Sequence, residues 1–114
     1  MVATEGLKAP VRWLKAHWAD DDVWFFFEAD DDGWVLRQVE LRGPDETPQV
    51  AAALAEWSDA DSDGLAAVQA YEAKYGALAD QAISAWNDFP GVAITGDEFE
   101  TVWRRARAYL DRGR

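Results

Sequence analysis

The spacing of apolar positions changes several times along the chain, and each change predicts an element. In "VRWLKAHW" (11–18), Val11, Trp13 and Trp18 mix with polar residues at short range, as in a partly exposed strand. After the turn "ADDD" comes "VWFFFEA" (23–29), a second strand whose apolar character is continuous rather than alternating. "DDDG" (30–33) signals a hairpin, because Asp-Gly tolerates the positive φ of a tight turn. In "WVLRQVELR" (34–42), Val35, Val39 and Leu41 are spaced by twos and fours, predicting a third strand. The segment from about Val11 to Arg42 therefore predicts a three-stranded antiparallel meander.

The middle strand of a meander has neighbours on both sides. Trp24 and Phe26 face one way, and Val23, Phe25 and Phe27 the other, so both faces need cover. Helices from the rest of the chain can cover one. The other needs a chain segment, a twin subunit or a ligand, which makes that second face a candidate binding surface.

Beyond Arg42 the period lengthens. "RGPDETPQ" breaks the sheet, and Thr47-Pro48 reads as a cap and first residue of a helix through "QVAAALAEW". A second helix runs through "GLAAVQAYEAKYG", with Leu65, Val68, Tyr71 and Tyr75 on one side and Gly76 as its stop. "ALADQAISAWNDFPGVAI" reads as a short helix to Trp86 and then a loop. The last helix has a capping box in Thr95 and Glu98 and an apolar stripe of Phe99, Val102, Trp103, Ala106 and Leu110. The expectation is a single α+β domain over residues 1–114: a three-stranded antiparallel sheet followed by three or four helices, paired as a homodimer.

Composition narrows the function. The 114 residues carry a formal net charge of −11, which repels nucleic-acid phosphates and attracts a cationic partner. Seven tryptophans are many for this length, so several belong in a core or a contact surface. With no cysteine there is no disulfide scaffold, thiolate metal site or cysteine nucleophile. The start "MVATEGLKAP" does not read as a signal peptide and no apolar run is long enough to span a membrane, so a cytoplasmic protein is expected. Five of the eleven basic residues (Arg104, Arg105, Arg107, Arg112, Arg114) crowd the end of the chain, where they would complement a helix dipole.

Candidate chemistry is sparse. "DADSDG" places Asp59, Asp61 and Asp63 as a calcium loop would, but Ala70 stands where the bidentate glutamate belongs, so the stretch reads as a turn capped by Ser62 or Asp63. His17 is the single histidine, too few for a histidine metal site or most triads. No glycine-rich nucleotide cradle is visible, and no cofactor or metal is expected. Glu28 should lie opposite Arg37 across the hairpin if Asp32-Gly33 forms a two-residue turn, either as an ordinary ion pair or orienting a carboxylate in a groove. The aspartates at 20–22 and 30–32 are solvated turns or an acidic rim around an aromatic floor suited to a cationic, aromatic-containing peptide.

The segments "RWLKAHW", "GWVLRQVEL", "LAEW", "YEAKYG" and "ITGDEFETVWRRARAYL" together resemble a family of small, stand-alone acidic bacterial proteins. These share a Trp-x-x-Arg-x-Val-Glu pattern, here Trp34, Arg37, Val39 and Glu40. The chain also resembles the small accessory enzyme of cinnamycin- and duramycin-type lanthipeptide clusters. That resemblance implies an antibiotic-biosynthesis function: joining a lysine amine to a dehydroalanine to give a lysinoalanine bridge, without a cofactor. The reaction needs a neutral amine, an enclosing geometry and a proton for the carbanionic carbon; orientation alone can supply about 7–11 kcal/mol. On this reading Glu28 or His17 handles protons, Arg37 holds a carboxylate, and Trp24, Phe26 and Trp34 shape the substrate site. Two alternatives stand beside it: a non-catalytic immunity- or inhibitor-type binding protein, and a structural homodimer that buries Phe25 and Phe27.

Overall fold

The computed structural model describes residues 11–80, 82 and 91–113. Its architecture is α+β, with strands β1 (Arg12–Trp18), β2 (Val23–Ala29), β3 (Val35–Arg42), β4 (Thr47–Ala53) and β5 (Val92–Ile94). The helices are α1 (Leu54–Ser62), α2 (Leu65–Tyr75) and α3 (Gly96–Asp111). All neighbouring strands are antiparallel, in the order β4-β3-β2-β1-β5. The expected meander is its centre, but the sheet has five strands rather than three, and three helices are described.

The largest correction falls on residues 47–53. Alanine-rich sequence favours helix intrinsically, yet Ala51, Ala52 and Ala53 are buried in β4. Tertiary packing overrides the propensity. Ala51 joins the core beneath α3, where a larger side chain would separate helix from sheet. Pro48 is tolerated because β4 is an edge strand and its pairing with β3 shifts register beside it, Glu40 opposing Val50 and Leu41 opposing Pro48. The helix expected from Pro48 starts only at Leu54. Asp59 and Asp61 lie within it and Asp63 is its C-cap, so no calcium loop forms; among the described residues no group of acidic or histidine side chains could hold a metal. Neither Ser62 nor Asp63 caps α2, whose N-cap is Gly64 without a side-chain bond.

Each face of the sheet has its own apolar cluster. On one, Phe26, Val39, Leu41 and Ala51 pack against Phe99, Ala106 and Leu110 of α3. Thr95 caps that helix as expected, its hydroxyl accepting from the Glu98 amide at 3.1 Å, while the Glu98 carboxylate pairs with Lys15. On the other face, Phe27, Ala29 and Val35 pack with Phe25, Leu14, Leu78 and Ala79. A chain segment therefore supplies cover over β2's second face, and Phe27 is already buried within one copy.

Gly76 makes that crossing possible. It ends α2 at φ 87°, ψ −178°, a region open essentially to glycine, and turns the chain past β4. Residues 77–80 and Ala82 are not helical, contrary to the expected helix; the remaining positions of that helix, to Trp86, lie outside the described residues.

Candidate functional site

The Glu28–Arg37 pair forms as expected, for a reason the sequence conceals. The β2–β3 turn has three residues, with Asp30 N donating to Trp34 O at 2.9 Å and Gly33 at φ 88°. A bulge between Glu28 and Ala29 makes up the difference: Ala29 opposes Val35, Leu36 is extra, and Glu28 still meets Arg37. Two departures from the assumed geometry cancel.

The pair is tightly made. Arg37 Nε donates to Glu28 Oε1 at 2.8 Å and Nη2 to Oε2 at 2.9 Å, while Trp13 Nε1 donates to Oε2 at 3.0 Å. Arg37 also turns Nη1 to Glu100 at 3.2 Å and Nη2 to the same carboxylate. Its guanidinium stacks 4.9 Å from the Phe99 ring centroid and 5.0 Å from that of Trp103. The Arg37 hydrogen bond is the main cause that lowers the Glu28 pKa below the usual carboxylate range; burial opposes it and Trp13 assists. In return Glu28, more than Glu100, raises Arg37 further above its ordinary value. Glu28 is thus held as a weakly basic carboxylate, and at least four of Arg37's donor directions point at protein oxygens.

This pair floors an open groove of about 510 Å³, walled by Leu36, Ala53, Leu54, Ala55 and Ser58. The lining itself carries one carboxylate, Glu28, and one guanidinium, Arg37, between mostly apolar walls, and Glu100 meets Arg37 from outside that lining. A long aliphatic side chain suits the walls, and Glu28 is the carboxylate that a cation at its end would meet.

A second network fixes the wall. Arg107 Nε donates to Ala51 O at 2.8 Å, and its other nitrogens reach Glu56. Tyr71 Oη accepts from Ala53 N at 2.9 Å and donates to Glu56 at 2.7 Å. The arginine also lies 3.7 Å from the Tyr75 centroid and 4.6 Å from that of Trp103. Burial pushes Tyr71 up to about 12, helped by Glu56. For Glu56 burial acts upward, but Arg107 and Tyr71 outweigh it and hold the carboxyl below its usual value. These contacts occupy outward-facing backbone groups of edge strand β4, which would otherwise be open to pairing. Arg107 and Arg105, which reaches Glu46 O at 3.0 Å, make tertiary contacts rather than complementing the dipole as expected.

The remaining sequence candidates are dispersed. His17 pairs with Trp24 across the sheet, four residues along β2 from Glu28, or about 13 Å at strand spacing. Its Nε2 lies 2.9 Å from Asp22 Oδ1 and its ring 4.7 Å from that of Trp24. Phe26 packs inward and is 7% exposed. Trp34 is exposed at the β2–β3 turn. Of the six candidates, only Glu28 and Arg37 meet in the groove.

Sequence reasoning missed Trp13, Glu100 and the wall network. Glu100 and Arg107 flank Trp103 of the apolar stripe of α3 at intervals of three and four, a polar border on that side of the helix. It also passed over Glu40 as chemistry. Burial raises the Glu40 carboxyl, while Gln38 Nε2, donating at 2.7 Å, and Arg42 act in the opposite direction.

No protein-family model, curated protein or solved structure matches the chain. Fold and groove define the class directly: an α+β protein with an acid-floored, apolar-walled groove beside the β4–α1 junction.

Proposed function

We propose that the groove receives the lysine side chain of a cationic, aromatic-containing lanthipeptide and that the protein promotes its addition to a dehydroalanine, without a cofactor. The observation that supports the binding step is the pairing of apolar walls with the Glu28 carboxylate, whose partner Arg37 is shared with Glu100 outside the lining. The sequence resemblance supplies the choice of reaction. In that step the lysine nitrogen bonds to the dehydroalanine β-carbon, one ammonium proton and one amine proton leave nitrogen, and the α-carbon gains a proton. The bridge adds no mass.

The groove's part is orientation. Glu28 is a weak base in its Arg37 clamp, and His17 with Asp22 stands about 13 Å along the sheet, so the first deprotonation falls to solvent or to the peptide. A two-pronged hold on a substrate carboxylate would require Arg37 to release Glu100 or Glu28. The proposal includes a cytoplasmic homodimer; light scattering at micromolar concentration tests the dimer.

One observation favours a second reading, a non-catalytic peptide-binding protein of the immunity or inhibitor kind. Glu28's lowered basicity and Arg37's occupied donors leave no ready acid or base at the groove floor. A single experiment separates the two: incubate a dehydroalanine- and lysine-containing lanthipeptide with the protein, trap residual dehydroalanine with a thiol, and fragment the product across the expected bridge. Faster loss of thiol-reactive dehydroalanine with a mapped bridge supports the enzyme. Binding with an unchanged rate replaces it with the second reading.

A further inference from the structure

The wall of the first groove is also the wall of another. On the far side of Leu54 a cavity of about 370 Å³ is bounded by Trp57 and Glu72 on the α1–α2 hairpin and by Ala77, Leu78 and Asp80 after Gly76. Leu54 is 38% exposed and lines both spaces, so it forms a ridge between them.

The two grooves share one device. In each, an indole N–H fixes a glutamate carboxylate: Trp13 Nε1 on Glu28 at 3.0 Å, and Trp57 Nε1 on Glu72 at 2.9 Å. Each sets that carboxylate beside apolar surface, Leu36 and Ala55 in the first and Leu78 and Ala77 in the second. The second has a further carboxylate, Asp80, and no cation among its described lining residues, whereas Arg37 lines the first. Two carboxylates with no cation in the described lining ask for a cationic guest in the second groove, the same kind of guest as the one read for the first.

We propose that the two grooves form one bipartite site for a peptide with two cationic side chains, one on each side of Leu54, the backbone crossing the ridge. This rests on reading the first groove as a lysine site and extends it: the ligand class is a dibasic peptide, with Trp57 and Glu72 holding the second cation. The indole face adds a cation–π contact that the first groove lacks. Two anchors on one ligand raise its effective local concentration, so a dibasic peptide binds more tightly than either half.

The two indole N–H groups also provide separate reporters. The experiment is a titration of the full chain followed by proton–nitrogen correlation spectra, with the Trp13 and Trp57 resonances assigned through Trp13→Phe and Trp57→Phe. The probes are N-acetylated Lys-(Ala)n-Lys amides with zero to four alanines, and the same peptides with either lysine replaced by norleucine. At one spacing, both indole signals should move with a single Kd at least roughly tenfold below those of the norleucine peptides. Glu72→Gln should remove that gain and leave Trp13's response to a monobasic peptide unchanged. If Trp13 moves and Trp57 stays fixed at every spacing, the bipartite site is wrong and the lysine groove stands. Independent movement of both signals, with no gain for two lysines, also overturns it. If neither moves, the lysine groove falls too.

Discussion

Replacing Arg37 by methionine tests whether the groove floor is a structural clamp. The variant keeps much of the side chain's volume and removes the charge, leaving Glu28 with Trp13 as its remaining side-chain donor. In the ion pair the Arg37 and Glu28 side chains are 20% and 14% exposed, between the buried and surface limits. Breaking a buried pair costs about 3–5 kcal/mol and an exposed one about 0–1. Glu100, at 40% exposure, can turn to water. The loss should be about 2–3 kcal/mol, equivalent to a Tm fall of roughly 8–12 °C at this length. Adding Glu28→Gln removes the stranded charge, so the double variant should recover part of the loss, with a coupling of about 1–2 kcal/mol. The sign of the pH dependence follows from Glu28. Its carboxyl is lowered in the fold, so its stabilisation is present above the unfolded value and fades as pH falls through the folded one. The cost of Arg37→Met should therefore shrink in acid. Thermal melts from pH 3 to 8 suffice. Single variants within about 2 °C of the parent at pH 7, or strictly additive losses, would refute the clamp.

Three further outcomes are expected. A Cβ at Gly76 would sit 2.5 Å from Val50 Cγ2 on a backbone other residues avoid, so Gly76→Ala should cost about 2–5 kcal/mol in urea unfolding. Adding Val50→Ala should relieve the clash but not the strain; no relief would show that Val50 is not the obstacle. Because burial raises Glu40 in the fold, its stabilising contribution is greatest below the unfolded carboxylate value and is lost as pH rises through the folded one. Glu40→Gln should accordingly raise Tm at pH 7 and have little effect at pH 4; a pH-independent change would contradict this. Tyr71→Phe removes the hydroxyl that meets Ala53 N, so that amide should exchange with solvent faster, with a stability loss of about 1–2 kcal/mol. Unchanged Ala53 protection would count against the edge being held there.

The central meander was legible because its strands carry turn signals between them and apolar residues on both faces of the middle one. Beta-4 was not. Its alanines state a helical preference, and the reason they extend instead is contact with α3, far off in sequence. Beta-5 is three residues long, too short for a period to register. The Glu28–Arg37 pair was legible, but its third partner was hidden because Glu100 is 63 positions from Arg37. The groove wall could not be anticipated once residues 49–57 were read as continuous helix, since it is built at the strand-to-helix junction. The Leu78–Ala79 cover was equally hidden, because what redirects that stretch is Gly76 passing Val50.

The most direct test of the lysine groove is an isotope-filtered NOE experiment on the protein with a bound lysine-containing lanthipeptide. The account predicts contacts from the lysine side-chain methylenes to the methyl groups of Leu36, Leu54 and Ala55. Contacts instead at His17 and Trp18, with none at Leu36 or Leu54, would contradict it and move the site to the other end of the sheet.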